Sequence, residues 1–362
     1  MIVTSNSILK KLLIAFLLVA GLYYAKAFLM PITIAGVLAT LFLPLSRSLE
    51  KQGLPRGLSS LICLLALLIV MAGIVSLISW QVTGLIDDFE LIKIRLTESL
   101  HRIQQYIMVH LGMSLEQQME MIQRQGQFLP STLTLVAGSM AQVLTTMAMI
   151  LVYIFCLLYY RGHLKQFLLR LSPPGQKEEM ESVIYSTSRV SQQYMLGLSK
   201  MIVCLWILYG IGFSIIGVQN AIFFAVLCGL LEIVPYIGNL TGTLLTVLVA
   251  AVNGAGFPVL GSIVVVYGCI QLFQGWVLEP VIVGPQVKIN PFTTIVALVL
   301  GELIWGIAGI FLAIPVIAML KIIFDHIESL RAYGHLIGET DSGKDTPGFV
   351  RRLRDAFRKG TK

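Results

Sequence analysis

This sequence predicts an all-α fold, a polytopic transmembrane helix bundle of about eight spans with re-entrant hairpins in its C-terminal half. Composition is the first reason: 56% of the 362 residues are hydrophobic and 12% are charged, against roughly a quarter charged in an average soluble domain. The second is how the charges are distributed. From 201 to 320 the only charged side chains are Glu232, Glu279, Lys288 and Glu302, in a stretch long enough for several bilayer crossings. The third is that basic residues gather at the ends of apolar runs and in the C-terminal tail, the positive-inside pattern of membrane proteins. The net charge of +7 is therefore read as topological. No basic stripe interleaved with aromatics points to nucleic acid.

At the N-terminus, Lys10-Lys11 precede an apolar run over 12–24, and Ala25-Lys26-Ala27 resembles a signal-peptide cleavage site. Counted from Ile8 to Leu29 the run reaches span length, and bulky Tyr23 and Tyr24 adjoin the supposed cut, so a retained first helix is expected. Further apolar runs follow at 30–45, 58–80, 133–160, 201–218, 221–237, 240–252, 257–273 and 292–320. The run at 240–252 is short for a core of about 30 Å. The last run is interrupted by Gly301, Gly306, Gly309 and Pro315. Re-entrant hairpins are expected in both places.

Lys and Arg counts in the connections set the orientation. Lys10 and Lys11, then Arg47, Lys51 and Arg56, then the basic residues between Arg161 and Lys200, and finally those from Lys321 onward place both termini in the cytoplasm. The organisation expected is N-terminal transmembrane helices over 1–81, an outer amphipathic insertion over 82–132, a transmembrane helix over 133–160, a cytoplasmic helical connection over 161–200, a transport core over 201–320 and a basic cytoplasmic tail over 321–362. In the insertion, Leu85, Phe89, Ile92, Leu96, Leu100, Ile103 and Ile107 recur every three or four residues. That stripe needs a partner: the membrane surface, its own protomer or other subunits. The connection is broken at Ser172-Pro173-Pro174-Gly175. In the tail, Phe349, Leu353 and Phe357 share a face opposite arginines, fitting either a short helix on anionic lipid or a solvated tail.

Enzymatic chemistry finds no residues to carry it. There is no HExxH, no GxxxxGK[ST], and no histidine between His163 and His326. The cysteines Cys63, Cys156, Cys204, Cys228 and Cys269 stand singly in apolar segments, so they read as small buried hydrophobes rather than disulfides or metal ligands. No enzyme activity, cofactor or metal is expected, and any transport runs on a gradient or downhill.

What remains are polar groups inside apolar runs. Glu232 is the clearest, because a carboxyl in hydrocarbon costs several kcal/mol unless it is protonated, paired or reached by water. Pro235 and Gly238 break the helix beside it, and broken helices at membrane depth free backbone groups for ions or substrate. Glu302 lies at the break of the last run, with the same logic. Glu279 precedes Pro280 in a connection with Gln271, Gln274, Lys288 and Asn290, which leaves a pathway role and a solvated interfacial role equally open. Lys288 is a candidate partner for any of the three acids. Asn220, Asn239, Asn253 and Thr241 are either path-lining groups or interhelical hydrogen bonders.

The motifs Glu232-Ile233-Val234-Pro235-Tyr236-Ile237-Gly238, Leu278-Glu279-Pro280, Val283-Gly284, Asn290-Pro291, Gly301-Glu302-Leu303-Ile304-Trp305-Gly306-Ile307-Ala308-Gly309 and Leu312-Ala313-Ile314-Pro315 resemble those of the autoinducer-2 exporter family of permeases. The resemblance implies a multi-pass protein of the bacterial inner membrane whose relatives include autoinducer-2 exporters and sodium or lithium/proton antiporters. It also implies homo-oligomers, a pentamer among them. The function expected is a gradient-driven secondary transporter for a small polar solute or a monovalent cation, with a pathway through Glu232, Pro235, Gly238, Asn239, Glu279 and Glu302. The contrasting expectation is an oligomeric membrane scaffold or channel-like protein without coupled transport.

The charge asymmetry makes the orientation testable. A cysteine introduced at Gln105 is expected to react with a membrane-impermeant maleimide from the outer face of intact cells. Labelling solely from the cytoplasmic face would invert the topology.

Overall fold

Apolar runs punctuated by Gly and Pro fold as the hydropathy demands, into helices that satisfy their own backbone. The computed structural model describes residues 5–87, 128–173, 175–235, 237–284 and 288–339. Among these, the regular elements are helical, and extended backbone pairs only in an isolated bridge between Ile289 and Gly338. The helices are α1 (Ser5–Tyr24), α2 (Lys26–Lys51), α3 (Arg56–Asp87), α4 (Phe128–Tyr159), α5 (Arg161–Leu171), α6 (Lys177–Ile215), α7 (Ala221–Leu231), α8 (Ile237–Val252), α9 (Phe257–Phe273, prolonged by π-helical turns over Gln274–Val283), α10 (Pro291–Trp305), α11 (Ile307–His326) and α12 (Arg331–Ile337). Among the described residues, six segments, including Lys26–Lys51, Lys177–Ile215 and Phe257–Ile282, are long and apolar enough to cross a membrane. Shorter apolar helices accompany them, and the fold is a polytopic helical bundle.

Helix α6 is the axis of the packing. Its 39 residues extend about 58 Å at 1.5 Å per residue, so the second half of the 161–200 connection and the crossing after it form one rod. Tyr194, Leu198, Met201, Leu205, Tyr209 and Phe213 recur on its buried face, at the three- and four-residue spacing of a single helical stripe. They meet Phe224 and Cys228 of α7, Val37 of α2 and Leu312 of α11. A second cluster joins Ala35 and Ala39 of α2 to Cys63 of α3 and to Ile154 and Leu158 of α4. Beyond the apolar layer, Arg161 at the start of α5 pairs with Glu50 of α2 and donates to Ser46 Oγ at 3.1 Å. Lys165 pairs with Glu181 of α6, so α5 is fastened at two points.

The structure moves two boundaries. The first two helices divide at Ala25 rather than near Met30, because α2 runs through Pro31 and Pro44; a proline inside a helix forfeits one hydrogen bond without ending it when packing holds both sides. The last hydrophobic run breaks at Gly306 alone, which turns with φ 63° between α10 and α11. Pro315 stays buried inside α11. Gly301 and Gly309 sit backbone against backbone across this hairpin, where any Cβ would overlap the opposing carbonyl. The shorter pair, α7 and α8, turns between Leu231 and Ile237. The stripe from Phe89 to Ile107 and the tail residues Phe349, Leu353 and Phe357 lie outside the described residues.

Asn290 ties the second hairpin to the C-terminal helix. Its Oδ1 accepts from Thr293 N at 2.7 Å as the N-cap of α10, with Pro291 following. Its Nδ2 donates to the carbonyls of Leu336 at 2.6 Å and Gly338 at 3.0 Å, at the open end of α12. Asn290→Ala is expected to cost about 1–2 kcal/mol through the lost cap and contacts, read as a lower Tm in detergent. Asn290→Asp retains the cap and loses the donor, so its loss should be smaller; equal losses would show that the cap contributes nothing.

Candidate functional site

The site begins with the way α7 ends. Pro235 has no N–H to extend the ladder. The chain instead tightens, Ile233 N bonding Leu230 O at 3.1 Å and Val234 N bonding Leu231 O at 2.9 Å, and then restarts as Gly238 N reaches Val234 O at 3.0 Å. Gly238 lies so close to Leu231 that a Cβ would overlap its carbonyl, and one turn later Gly242 lies against Cys228. This small-residue face lets α8 fold back onto α7. Glu232 is caught in the fold and is only 4% exposed.

Partners come from α8 and α9. Gln274 Nε2 donates to Glu232 Oε1 at 2.5 Å and approaches Glu279 Oε1 at 3.5 Å. Gln274 Oε1 accepts from Asn239 Nδ2 at 3.2 Å, and Asn239 also donates to Gln271 Oε1 at 3.0 Å. Gln274 and Glu279 are five residues apart, which an ordinary α-helix places on different faces. The π-helical turns, in which Gly284 N bonds Glu279 O, bond i to i+5 and bring such positions together. Pro280 sits within them; its missing N–H removes one bond that would favour the tighter helix. On the α6 side, the hydroxyls of Tyr194 and Tyr209 lie within electrostatic reach of Glu232.

The structure thus joins Glu232, Asn239 and Glu279 through one amide, with Pro235 and Gly238 shaping the turn. It does not bring Glu302 to them. That residue is exposed on the last turn of α10, which packs on α11, α1 and α2. Lys288 is exposed in a left-handed conformation, φ 46°, and none of the ion pairs among the described residues joins it to an acid. Asn220 is exposed at the left-handed N-cap of α7, and Thr241 bonds its own helix at Ile237 O. The residue that sequence reasoning undervalued is Gln274. Beside Gln271 and Lys288 it suggested a wet connection, yet it is 3% exposed. Its signal was the spacing Gln271, Gln274, Glu279 directly before a proline.

Chemically this is two acids bridged by neutral amides. No cluster of three or more His, Cys, Asp or Glu side chains able to hold a metal occurs among the described residues. Two carboxyls that pair with no Lys or Arg among the described residues can accept positive charge between them, as a proton or a cation.

A family model described as AI-2E family transporter matches residues 12–329. YueF of Bacillus subtilis (strain 168), named provisionally as a transport protein, is 26% identical over 88% of this chain and 89% of its own length. YrrI of the same organism, named likewise, is 23% identical over 84% of this chain and 88% of its own. YhhT of Escherichia coli (strain K12), also named provisionally for transport, is 24% identical over 88% and 90%.

Gln274 gives Glu232 its hydrogen bond, while Asn239 Nδ2 is shared between Gln274 and Gln271. Gln274→Leu leaves the buried carboxyl unpartnered and is expected to destabilise the protein by about 1–3 kcal/mol, seen as a fall in Tm in detergent. A Tm equal to that of the wild type would show that the amide bridge contributes nothing to the fold.

Proposed function

This chain belongs to the AI-2E transporter family, and from that premise we propose that it is a gradient-driven secondary transporter whose coupling proton is carried by Glu232. The observation that carries the reading is a buried carboxyl between two apolar helices held by an amide, with no Lys or Arg paired to it among the described residues. A structural acid in hydrocarbon is expected to neutralise itself against a base. An acid that must take up and release charge is served better by a neutral partner able to bond either form.

In the proposed cycle Glu232 and Glu279 compete for Gln274. A proton or a monovalent cation relieves the like charge between them, and departure of that charge restores it. Pro235, Gly238 and Asn239 hold the broken helix that gives cargo access to the pair. Glu302, on the other hairpin, enters as a separate acid of the same pathway. The cargo class is a small polar solute of the autoinducer-2 kind, moved outward, or a monovalent cation exchanged for protons. The setting proposed is a homo-oligomer in the bacterial inner membrane with both termini cytoplasmic.

A proteoliposome assay comparing sodium, lithium, proton and autoinducer-2 fluxes tests this. Glu232→Gln is expected to retain Tm in detergent and abolish the pH dependence of flux, since the amide matches the protonated acid in shape and never ionises. Undiminished pH dependence in the folded variant would remove Glu232 from the mechanism. A fall in Tm with unchanged pH response would make it a structural acid.

A further inference from the structure

Helix α6 meets both acid-bearing segments through bare backbone. Gly229 of α7 lies against the carbonyl of Ile202, where an added Cβ would stand 3.2 Å from the oxygen. The ring of Trp206 packs on the same glycine, and its indole N–H donates to Val226 O at 3.0 Å. Gly197 of α6 lies against the carbonyl of Ile282 in the π-helical turns, with 3.0 Å between an added Cβ and the oxygen. Glu232 follows Gly229 by one turn, and Glu279 precedes Ile282 by three residues. Gly197 and Ile202 are about 7.5 Å apart along α6, so both acids are indexed to one short stretch of the same helix.

A second contact shows what the first one holds. Gly212 of α6 faces Val266 of α9, so the two helices run antiparallel between these contacts. The stretch from Val266 to Ile282 is one residue longer than that from Gly197 to Gly212. Wound as an α-helix throughout, it would carry Ile282 about 1.5 Å past Gly197. Turns bonded from i to i+5 hold more residues in the same length and absorb the excess.

We propose that Gly197 is a positioning residue for the acid pair: its bare backbone seats the π-helical turns on α6 and so holds Glu279 at Gln274, while the contact at Gly229 holds Glu232. A side chain at 197 meets a carbonyl, which cannot rotate aside, so the turns themselves must shift. At 212 the group met is a methyl of Val266, 2.6 Å from an added Cβ, and packing alone is at stake. The titratable groups around the acids are Tyr194 and Tyr209 on α6 and Cys228 on α7; α8 carries none. Substitution at 197 removes none of them. The role in transport rests on the reading of Glu232 as the coupling acid, but the seat itself is testable without transport.

The test compares matched variants of the full chain. Gly197→Val and Gly212→Val are each expected to lower Tm in detergent by about 2–4 °C through overpacking. Only the first should couple to Glu279. Combined with Glu279→Ala, Gly197→Val is expected to depart from the sum of the single effects by about 1–2 °C, because the displaced turns have already taken Glu279 from Gln274; Gly212→Val and Glu279→Ala should add. Additive effects in both pairs overturn the proposal, and so does equal coupling in both, which would make helix packing as a whole responsible. Val266→Ala should rescue Gly212→Val, whereas Ile282→Ala should leave Gly197→Val impaired, since the overlap there is with backbone. Full rescue by Ile282→Ala would assign the contact to the side chain and overturn the seat. If Gly197→Val does not fold, Gly197→Ala closes the same cycles. In proteoliposomes, Gly197→Ala is expected to move the pH midpoint of flux by about 0.5 unit or more, as a displaced neighbouring carboxylate does, and Gly212→Ala to leave it in place. A midpoint unmoved by Gly197→Ala, where wild-type flux responds to pH, overturns the positioning role. Wild-type flux with no pH response overturns the transport reading instead, and the Tm cycles still decide the seat.

Discussion

Hydrocarbon offers no hydrogen bonds, so every polar group the fold carries into it must find a partner inside the protein. The contact between Gly238 and the carbonyl of Leu231 is where this constraint is met for Glu232. With α8 laid onto α7 at that point, the acid is buried against Gln274, which in turn accepts from Asn239. A side chain at 238 would separate the helices and undo the arrangement, because the overlap is with backbone, which cannot rotate away.

The rest of the bundle keeps that hairpin in place. α6 runs past both short hairpins, packing against α7 on one side and α11 on another. Its buried stripe, which includes Tyr194 and Tyr209, packs against both hairpins. The second hairpin solves a related problem by a different means. Its glycines bring α10 and α11 into backbone contact, and Asn290 satisfies groups at the ends of α10 and α12 at once. Helix ends are the costly parts of a short helix, having unpaired amides or carbonyls, and a structure with several short helices must cap them or turn them back on themselves.

The π-helical continuation of α9 gives the site its second acid. Widened turns are less favourable than α-helical ones and tend to mark functional positions. In this protein they place Glu279 beside Gln274, so that one amide stands between two carboxyls. A return to α-helical bonding would carry Glu279 away from it. The register of this segment and the spacing of the two acids are therefore one variable.

Much of this was legible in the chain itself. The helical membrane class, the broken helix at Pro235 and Gly238, and the isolated acid at 232 follow from hydropathy and from the residues that interrupt it, because the bilayer penalises charge and unpaired backbone whatever the tertiary contacts. Partnership was not legible. Gln274 and Lys288 belong to the same polar connection in sequence, yet one is buried against Glu232 and the other is exposed, a difference set by the π-helical turns and the packing on α6 and α8. Glu302 has the same local signature as Glu232, a charge beside glycine in an apolar run, and only the helix pairing separates it from the site. One-dimensional pattern records the cost of each residue in the membrane; which neighbour meets that cost depends on how the helices cross, and that is decided in three dimensions.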